Sequence, residues 1–208
     1  MTPLVITREV SARIPTAYGI FDLLVYTNNR DAKEHLVFSV GNHPQPEPTL
    51  TRIHSECFTG DVMGSRRCDC GEQLHHAMQM IQASGHGLIL YLRQEGRGIG
   101  LVDKLKAYNL QDQGYDTVDA NLALGHAEDE RDYHIAHLIL ADLGVSRLRL
   151  MTNNPSKVRA LTTDTLAIVE RVPLEPTLLP ENTHYLQTKV NRMNHLLTLP
   201  DDLNNHRD

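Results

Sequence analysis

The hydrophobic rhythm of the chain changes about a third of the way along. Before residue 57 the apolar positions come in short runs rich in β-branched and aromatic side chains, over residues 17–26 and 35–40. Such runs predict strands. The turn-forming stretch Asn28, Asn29, Arg30, Asp31 separates them, and residues 41–48, with three prolines, predict a loop. Residues 51–57 read as a short strand that delivers Cys57. Beyond it the period lengthens. Leu74, Ala77, Met78 and Ile81 lie on one face of a helix predicted over 72–84. Residues 87–92 are continuously apolar, as in a strand covered on both faces. The pattern then predicts helices over 101–112 and 129–143, the second stopped by Gly144. Strands follow over 147–151 and 165–172, and Asn154 with Pro155 marks a helix start between them. A last helix over 183–197 places Leu186, Val190, Met193 and Leu197 on one side. Strands first and β/α alternation afterwards predict an α/β fold, a mixed sheet flanked by helices with an antiparallel N-terminal β extension. The expected division is one domain over 1–198 and a polar C-terminal tail over 199–208.

Composition narrows the possibilities. A chain of 208 residues with 40% hydrophobic content can bury one sizeable core. The formal charge of −6 argues against sequence-independent binding to nucleic acid. No apolar run approaches the roughly 20 residues needed to span a bilayer, and the N-terminus carries no visible secretory signal. The three cysteines, Cys57, Cys68 and Cys70, share one window with spacing Cys-x10-Cys-x-Cys. An odd, clustered set fits a reduced, cytoplasmic setting and a metal-binding or catalytic task. Three thiolates can hold zinc and leave its fourth position for water, which separates a catalytic site from a structural one. The blander alternatives are thiols packed as small hydrophobes, or a structural zinc completed by one of twelve histidines. Arg52, Arg66 and Arg67 are the expected offsets to the thiolate charge, and zinc affinity should fall as protons compete at low pH.

Three further segments can carry chemistry. Arg93-Gln-Glu95-Gly96-Arg97-Gly-Ile-Gly100 follows a buried strand and opens a helix, where backbone N–H groups approach anions closely. In it Glu95 would accept from the N1–H and 2-amino donors of guanine and Arg97 would clamp phosphate; the alternative is a tight turn with solvated charges. Met151-Thr152-Asn-Asn-Pro-Ser-Lys157 offers a second phosphate cradle, with ordinary capping as its competitor. In His126-Ala-Glu-Asp129-Glu-Arg131-Asp132 a carboxylate and an arginine near a helix start could enter one cleft, or form an ordinary charged first turn.

Read together, Arg52-Ile-His-Ser-Glu-Cys-Phe-Thr-Gly-Asp61, Arg67-Cys-Asp-Cys-Gly71, Arg93 to Leu101, Leu110-Gln-Asp-Gln-Gly-Tyr-Asp-Thr117, Asp129-Glu-Arg-Asp132 and Thr152-Asn-Asn-Pro-x-Lys157 closely resemble GTP cyclohydrolase II. The likeness runs from about residue 12 to Leu197 and ends in His184-Tyr-Leu-x-Thr-Lys189. It implies hydrolysis of GTP as the opening step of riboflavin synthesis: C8 is lost as formate and the terminal phosphates as diphosphate, leaving a diaminopyrimidinone ribosyl 5′-phosphate. It also implies one zinc ion per subunit, magnesium with the triphosphate, and a homodimer. No segment resembling the dihydroxybutanone phosphate partner precedes residue 1, so the monofunctional form is expected.

Carried over by position, the resemblance makes Cys57, Cys68 and Cys70 the zinc ligands. Arg52, Ile53, His54, Ser55, Glu56, Gln73, Glu95, Gly96, Arg97, Thr117, Thr152 and Lys157 become nucleotide-binding residues. Asp129 takes the part of proton acceptor and Arg131 that of nucleophile. Tyr108 matches a tyrosine needed for full conversion, and with Glu56 it would move protons. Because arginine has almost no neutral form at pH 7, an electrostatic clamp on the α-phosphate is the alternative role for Arg131. The 162–167 segment departs from the family, which often has a glycine-containing turn there. The rival readings are a zinc nucleoside deaminase, a GTP-binding regulator without activity, and an enzyme stopping at the formamide. The deaminase would share the His54-x-Glu56 element but needs a Pro-Cys-x-x-Cys pattern absent here.

Overall fold

The chain enters as a long hairpin. In the computed structural model, which describes residues 2–200, β1 (Ile6–Thr16) and β2 (Gly19–Asn28) run antiparallel. The Thr16 hydroxyl closes their turn by donating to the Gly19 carbonyl at 2.7 Å. β3 (His35–Val40) continues the antiparallel ladder on β2 and itself pairs antiparallel with β5 (Gly87–Leu92). Between them come β4 (Thr49–Ser55), the single turn α1 (Phe58–Asp61) and α2 (Cys70–Ser84). After β5 a tight 3₁₀ turn, Glu95–Gly98, leads to α3 (Gly100–Gln111) and α4 (Thr117–Ala123). The remainder is α5 (His134–Asp142), β6 (Arg147–Met151), α6 (Pro155–Leu161), β7 (Ala167–Val172) and α7 (Thr183–Asn191).

All seven strands join one open sheet in the order β1-β2-β3-β5-β4-β6-β7. Its β5-β4-β6-β7 half is parallel, so the expected mixed sheet with an antiparallel N-terminal extension is what forms. Leu88 and Leu90 of β5 join Ile53, Leu148 and Leu150 against Ile139 and Leu140 of α5. Ile89, on the other face, joins Leu50 and Met151 against Leu74 and Ile81 of α2. Strand β5 therefore feeds two cores, which is why its sequence shows no alternation. Among the described residues no helix is long and apolar enough to cross a membrane.

The differences from the sequence expectations have local causes. Strand β1 went unseen because nearly all its side chains are exposed and polar ones dominate. The helix expected over 129–143 begins only at His134; Asp132 instead accepts from the His134 N–H at 2.8 Å, and Asp129 and Arg131 lie in irregular chain ahead of it. The helix expected over 183–197 stops at Asn191 because Asn194 turns left-handed, with φ of 54°. The segment α4, about two turns, lacks a long enough repeat to be recognised. Leu199, assigned to the tail, is buried, so the packed chain extends to it; residues 201–208 of that tail lie outside the described residues.

Leu148 of β6, the strand next to the β7 edge, is fully buried. Leu148→Ala should cost about 2–5 kcal/mol through lost transfer energy and a cavity, read as a lower urea midpoint with an unchanged denaturant slope.

Candidate active site

The parallel strands all deliver their C-terminal ends to one edge of the sheet, the usual place for a ligand in an open α/β fold. Cys57 follows β4, Glu95 to Arg97 follow β5, and Thr152 to Asn154 follow β6, and all of them line one cleft.

One end of the cleft is sulfur. The Sγ atoms of Cys57, Cys68 and Cys70 lie within 4.8 Å of one another. Two glycines make this possible. A Cβ on Gly71 would stand 2.3 Å from the Gly60 carbonyl oxygen, and one on Gly60 would stand about 3 Å from the Cys68 and Cys57 sulfurs. The start of α1 is held by carboxylates. Asp61 accepts from the Cys57 N–H at 2.9 Å and Glu95 from the Phe58 N–H at 2.6 Å, which satisfies donors that a helix start leaves free. Asp61 also accepts from the Tyr91 hydroxyl at 2.9 Å and lies 3.1 Å from His54 Nε2. Burial holds the His54 ring well towards its neutral form despite Asp61, so Nε2–H donates to the carboxylate.

A buried lysine stands beside the sulfurs. Lys104 Nζ donates to Cys57 Sγ at 3.1 Å and to Glu95 Oε1 at 2.7 Å. Burial disfavours its charge, but the Cys57 sulfur and Glu95 outweigh that and raise its pKa. The Cys57 thiol is pushed down, first by hydrogen bonding from Cys68 and Cys70 and then by Lys104, while its two neighbours are pushed up. On the same face of α3, one turn on, the Tyr108 hydroxyl lies 3.3 Å from Thr59 Oγ1. Burial pushes the Tyr108 phenol up to about 12.

The other end is cationic. Arg52, fully buried, donates to Gln73 Oε1 at 2.5 Å and to the Met151 carbonyl at 3.0 Å. Lys157 donates to the Ile53 carbonyl at 2.7 Å; burial, then Arg52 and Arg131, depress its pKa well below the usual lysine range. Arg131 makes a two-pronged pair with Asp129, Nε to Oδ1 at 2.8 Å and Nη2 to Oδ2 at 2.5 Å. Burial works against both charges, yet the pairing prevails: the Arg131 pKa is raised and the Asp129 pKa lowered. Arg97 holds a left-handed backbone, φ 63°, in the turn after β5. Its carbonyl accepts from the Glu130 N–H at 3.0 Å, and Gly98 has no room for a Cβ against Glu130.

The structure brings nearly the whole expected set together. The three cysteines, Tyr108, Glu56, Gln73, Gly96, Thr117, Thr152 and Lys157 all reach the cleft. Ile53 does not; it is fully buried in the core. Asp129 stands behind Arg131 and is absent from the cleft wall. The oxygens of Glu95 are engaged by Phe58, Gly96 and Lys104, so it organises the loop, and Glu56 pairs with Arg93 at 3.0 Å. Neither Arg66, paired with Glu181, nor Arg67, paired with Asp112 and lying over the Tyr108 ring, compensates the sulfurs as expected. Lys104 does. Its position four residues before Tyr108, hence on the same helix face, was the signal available in the sequence.

A family model described as GTP cyclohydrolase II matches residues 7–173. The riboflavin biosynthesis protein RibBA of Bacillus subtilis (strain 168) is 56% identical over 193 residues, 92% of this chain and 48% of that protein. RibBA of Bacillus cereus (strain B4264) is 54% identical over 194 residues, 93% of this chain and 49% of that protein. The chain thus spans about half the length of the curated relatives it matches. Among solved structures, RibBX, a two-domain 3,4-dihydroxy-2-butanone 4-phosphate synthase from A. baumannii, aligns over 80% of this chain and 40% of its own, with a TM-score of 0.45 and 17% identity.

Lys104→Met removes the donor to Cys57 while keeping bulk, and if the three thiols are loaded with a thiophilic divalent ion such as zinc, that ion should be released to a competing chelator about tenfold more readily or worse; release at the wild-type rate would leave Lys104 a packing residue only. Because the Asp129 pKa is depressed, its pair with Arg131 contributes stability that is complete above the unfolded value of about 4 and lost as pH falls through the lower folded value. The stability gap between the wild type and Asp129→Asn, read from thermal melts, should therefore narrow steadily below pH about 4.

Proposed function

The chain belongs to the GTP cyclohydrolase II family, and from that premise we propose that its cleft hydrolyses GTP, opening the imidazole ring and releasing formate and diphosphate, as a step of riboflavin biosynthesis. The observation that carries the reading is the make-up of the cleft wall, which gathers three thiols and a set of buried arginines and lysines around one space. A purine nucleoside triphosphate presents groups that match both, a ring carbon to be hydrolysed and a polyanion to be held.

The donor set fits zinc. Cys57, Cys68 and Cys70 would hold it, with the Gly60 and Gly71 approach leaving space beside the sulfurs, and a three-thiolate site leaves a coordination position. When bound, the ion supplies Lewis-acid activation of water next to the purine. Lys104 offsets part of the thiolate charge. Tyr108 keeps its proton at neutral pH and hydrogen-bonds Thr59 beside Cys57, which suits a general acid for ring opening. Glu56, steadied by Arg93, is the partner that accepts protons.

At the cationic end, Arg131 acts as a clamp on phosphate. A guanidinium whose proton is held this firmly by Asp129 is a poor nucleophile and a good fixed charge. Asp129 aims it. Arg97 adds charge where diphosphate departs, and an anion beside Lys157 would restore the charge that burial and its cationic neighbours disfavour. Among the described residues the cysteine trio is the one His/Cys/Asp/Glu group placed to hold a metal, so magnesium would arrive on the triphosphate, its common mode of binding. The same family reading carries a homodimer and a cytoplasmic setting.

Incubation of the zinc-loaded protein with GTP should yield formate and diphosphate, detected by enzymatic formate assay and mass spectrometry. Cys68→Ser should lose both zinc and formate release, whereas Tyr108→Phe should accumulate the ring-opened formamide. Formate release at the wild-type rate by a zinc-free Cys68→Ser protein would sink the assignment.

A further inference from the structure

Part of the cleft wall is built by chain beyond residue 173, where the family match ends. Asn153, just past β6, anchors this C-terminal arm at its start: its side chain donates to the Leu174 carbonyl at 2.5 Å and accepts from the Leu174 N–H at 3.1 Å. Glu72 of α2 then accepts from both the N–H and the hydroxyl of Thr177, at 2.9 and 2.5 Å. From α7, Lys189 reaches down to Asp69, Nζ to Oδ1 at 2.5 Å, on a carboxylate whose side chain is wholly buried beside Cys70. Arg192 holds the far side through Asp116 at 2.6 Å. The left-handed Asn194 then turns the chain back. The His195 N–H reaches the Lys189 carbonyl at 2.9 Å, and the Leu196 N–H reaches the carbonyl of Asn153 at 2.8 Å. One residue at the end of β6 thus holds both ends of the arm.

This path puts Tyr185, Lys189, Met193 and His195 on the cleft. His195 sits on the cleft wall among cations. Its Nδ1 is buried and has no hydrogen-bond partner among the described residues. The charges facing it are Lys189, Arg131 and Arg97, with Asp69 opposing. Burial first and those cations next push its pKa down to about 3. Lys157 meets the same surroundings, faced by Arg52, Arg131 and Lys189 against Asp129. Gathering buried cations from four separate segments costs stability, and an anionic ligand among them offsets that cost.

We propose that the arm is a polyphosphate-binding wall, in which Lys189 and His195 contact the phosphate chain of the substrate together with Arg97 and Arg131. This deepens the reading of the cleft as a GTP site and rests on it for the identity of the natural ligand. Lys189 gives one of its three N–H donors to Asp69, which fixes its position and leaves two for phosphate oxygens. His195, whose side chain lines the same cleft, would face the same anion.

The test uses the full-length, zinc-loaded protein and inorganic tripolyphosphate as probe, followed by calorimetry. His195→Ala should weaken tripolyphosphate binding about tenfold, the loss of one hydrogen bond to a charged group, and raise KM for GTP by a similar factor with kcat nearly kept. His195→Gln, which restores an N–H donor, should recover part of the affinity. Should the variants fail to fold, the wild type still decides: the His195 ring resonances should shift as tripolyphosphate saturates the protein. Wild-type affinity in His195→Ala, or unmoved His195 signals at saturation, overturns the proposal. Tripolyphosphate binding weakened by His195→Ala in a protein that releases no formate from GTP would sustain the wall and remove the GTP reading. Normal GTP turnover with tripolyphosphate binding indifferent to His195 would remove the wall alone.

Discussion

Everything at the sulfur end depends on two helix starts approaching more closely than side chains allow. Gly60 and Gly71 let α1 and α2 meet backbone to backbone, and only then can a thiol ahead of one helix lie beside thiols at the start of the other. The constraint spreads outward. With α1 fixed against α2, its free N–H groups need acceptors, and Asp61 and Glu95 provide them. Glu95 in turn fixes Lys104 beside Cys57. Four segments distant in the chain are thus committed by one backbone contact, and the turn after β5 takes its shape from the carboxylate it must deliver.

The cationic end follows a different logic. Its charges are each held by a specific acceptor, Arg52 by Gln73 and the Met151 carbonyl, Lys157 by the Ile53 carbonyl, Arg131 by Asp129. Two of those acceptors are neutral backbone carbonyls, which orient a cation without cancelling it. Pre-oriented, incompletely neutralised charge in a poorly hydrated cleft is what electrostatic stabilisation of a departing polyanion requires.

How much of this was legible in the sequence varies with the kind of signal. The thiol cluster and the β5 run could be read directly, because a rare residue in one window and an unbroken apolar strand both survive without tertiary context. The N-cap at Asn154, whose side chain accepts from Ser156 at 2.9 Å, was equally local. Other features could not be read that way. Strand β1 owes its existence to pairing with β2, and its exposed, largely polar residues carry little pattern of their own. Glu95 has the residue type and loop position of a ligand-binding carboxylate and lines the cleft, and only the fold reveals that its oxygens also hold Phe58, Gly96 and Lys104. The partners of Lys189 and His195 are 120 and more residues away or in other loops, so no spacing in the chain announces that α7 closes the cleft.

Arg97 carries a left-handed backbone that a residue with a Cβ adopts at a cost of roughly 1–3 kcal/mol. The bond from Glu130 and the glycine contact at Gly98 hold it there, and both come from the stretch that carries Asp129 and Arg131. The aim of one arginine is therefore set by the stretch bearing the other. The two guanidinium groups, thirty-four positions apart along the chain, behave as a single sighted pair: a displacement that slackens either loop misdirects both.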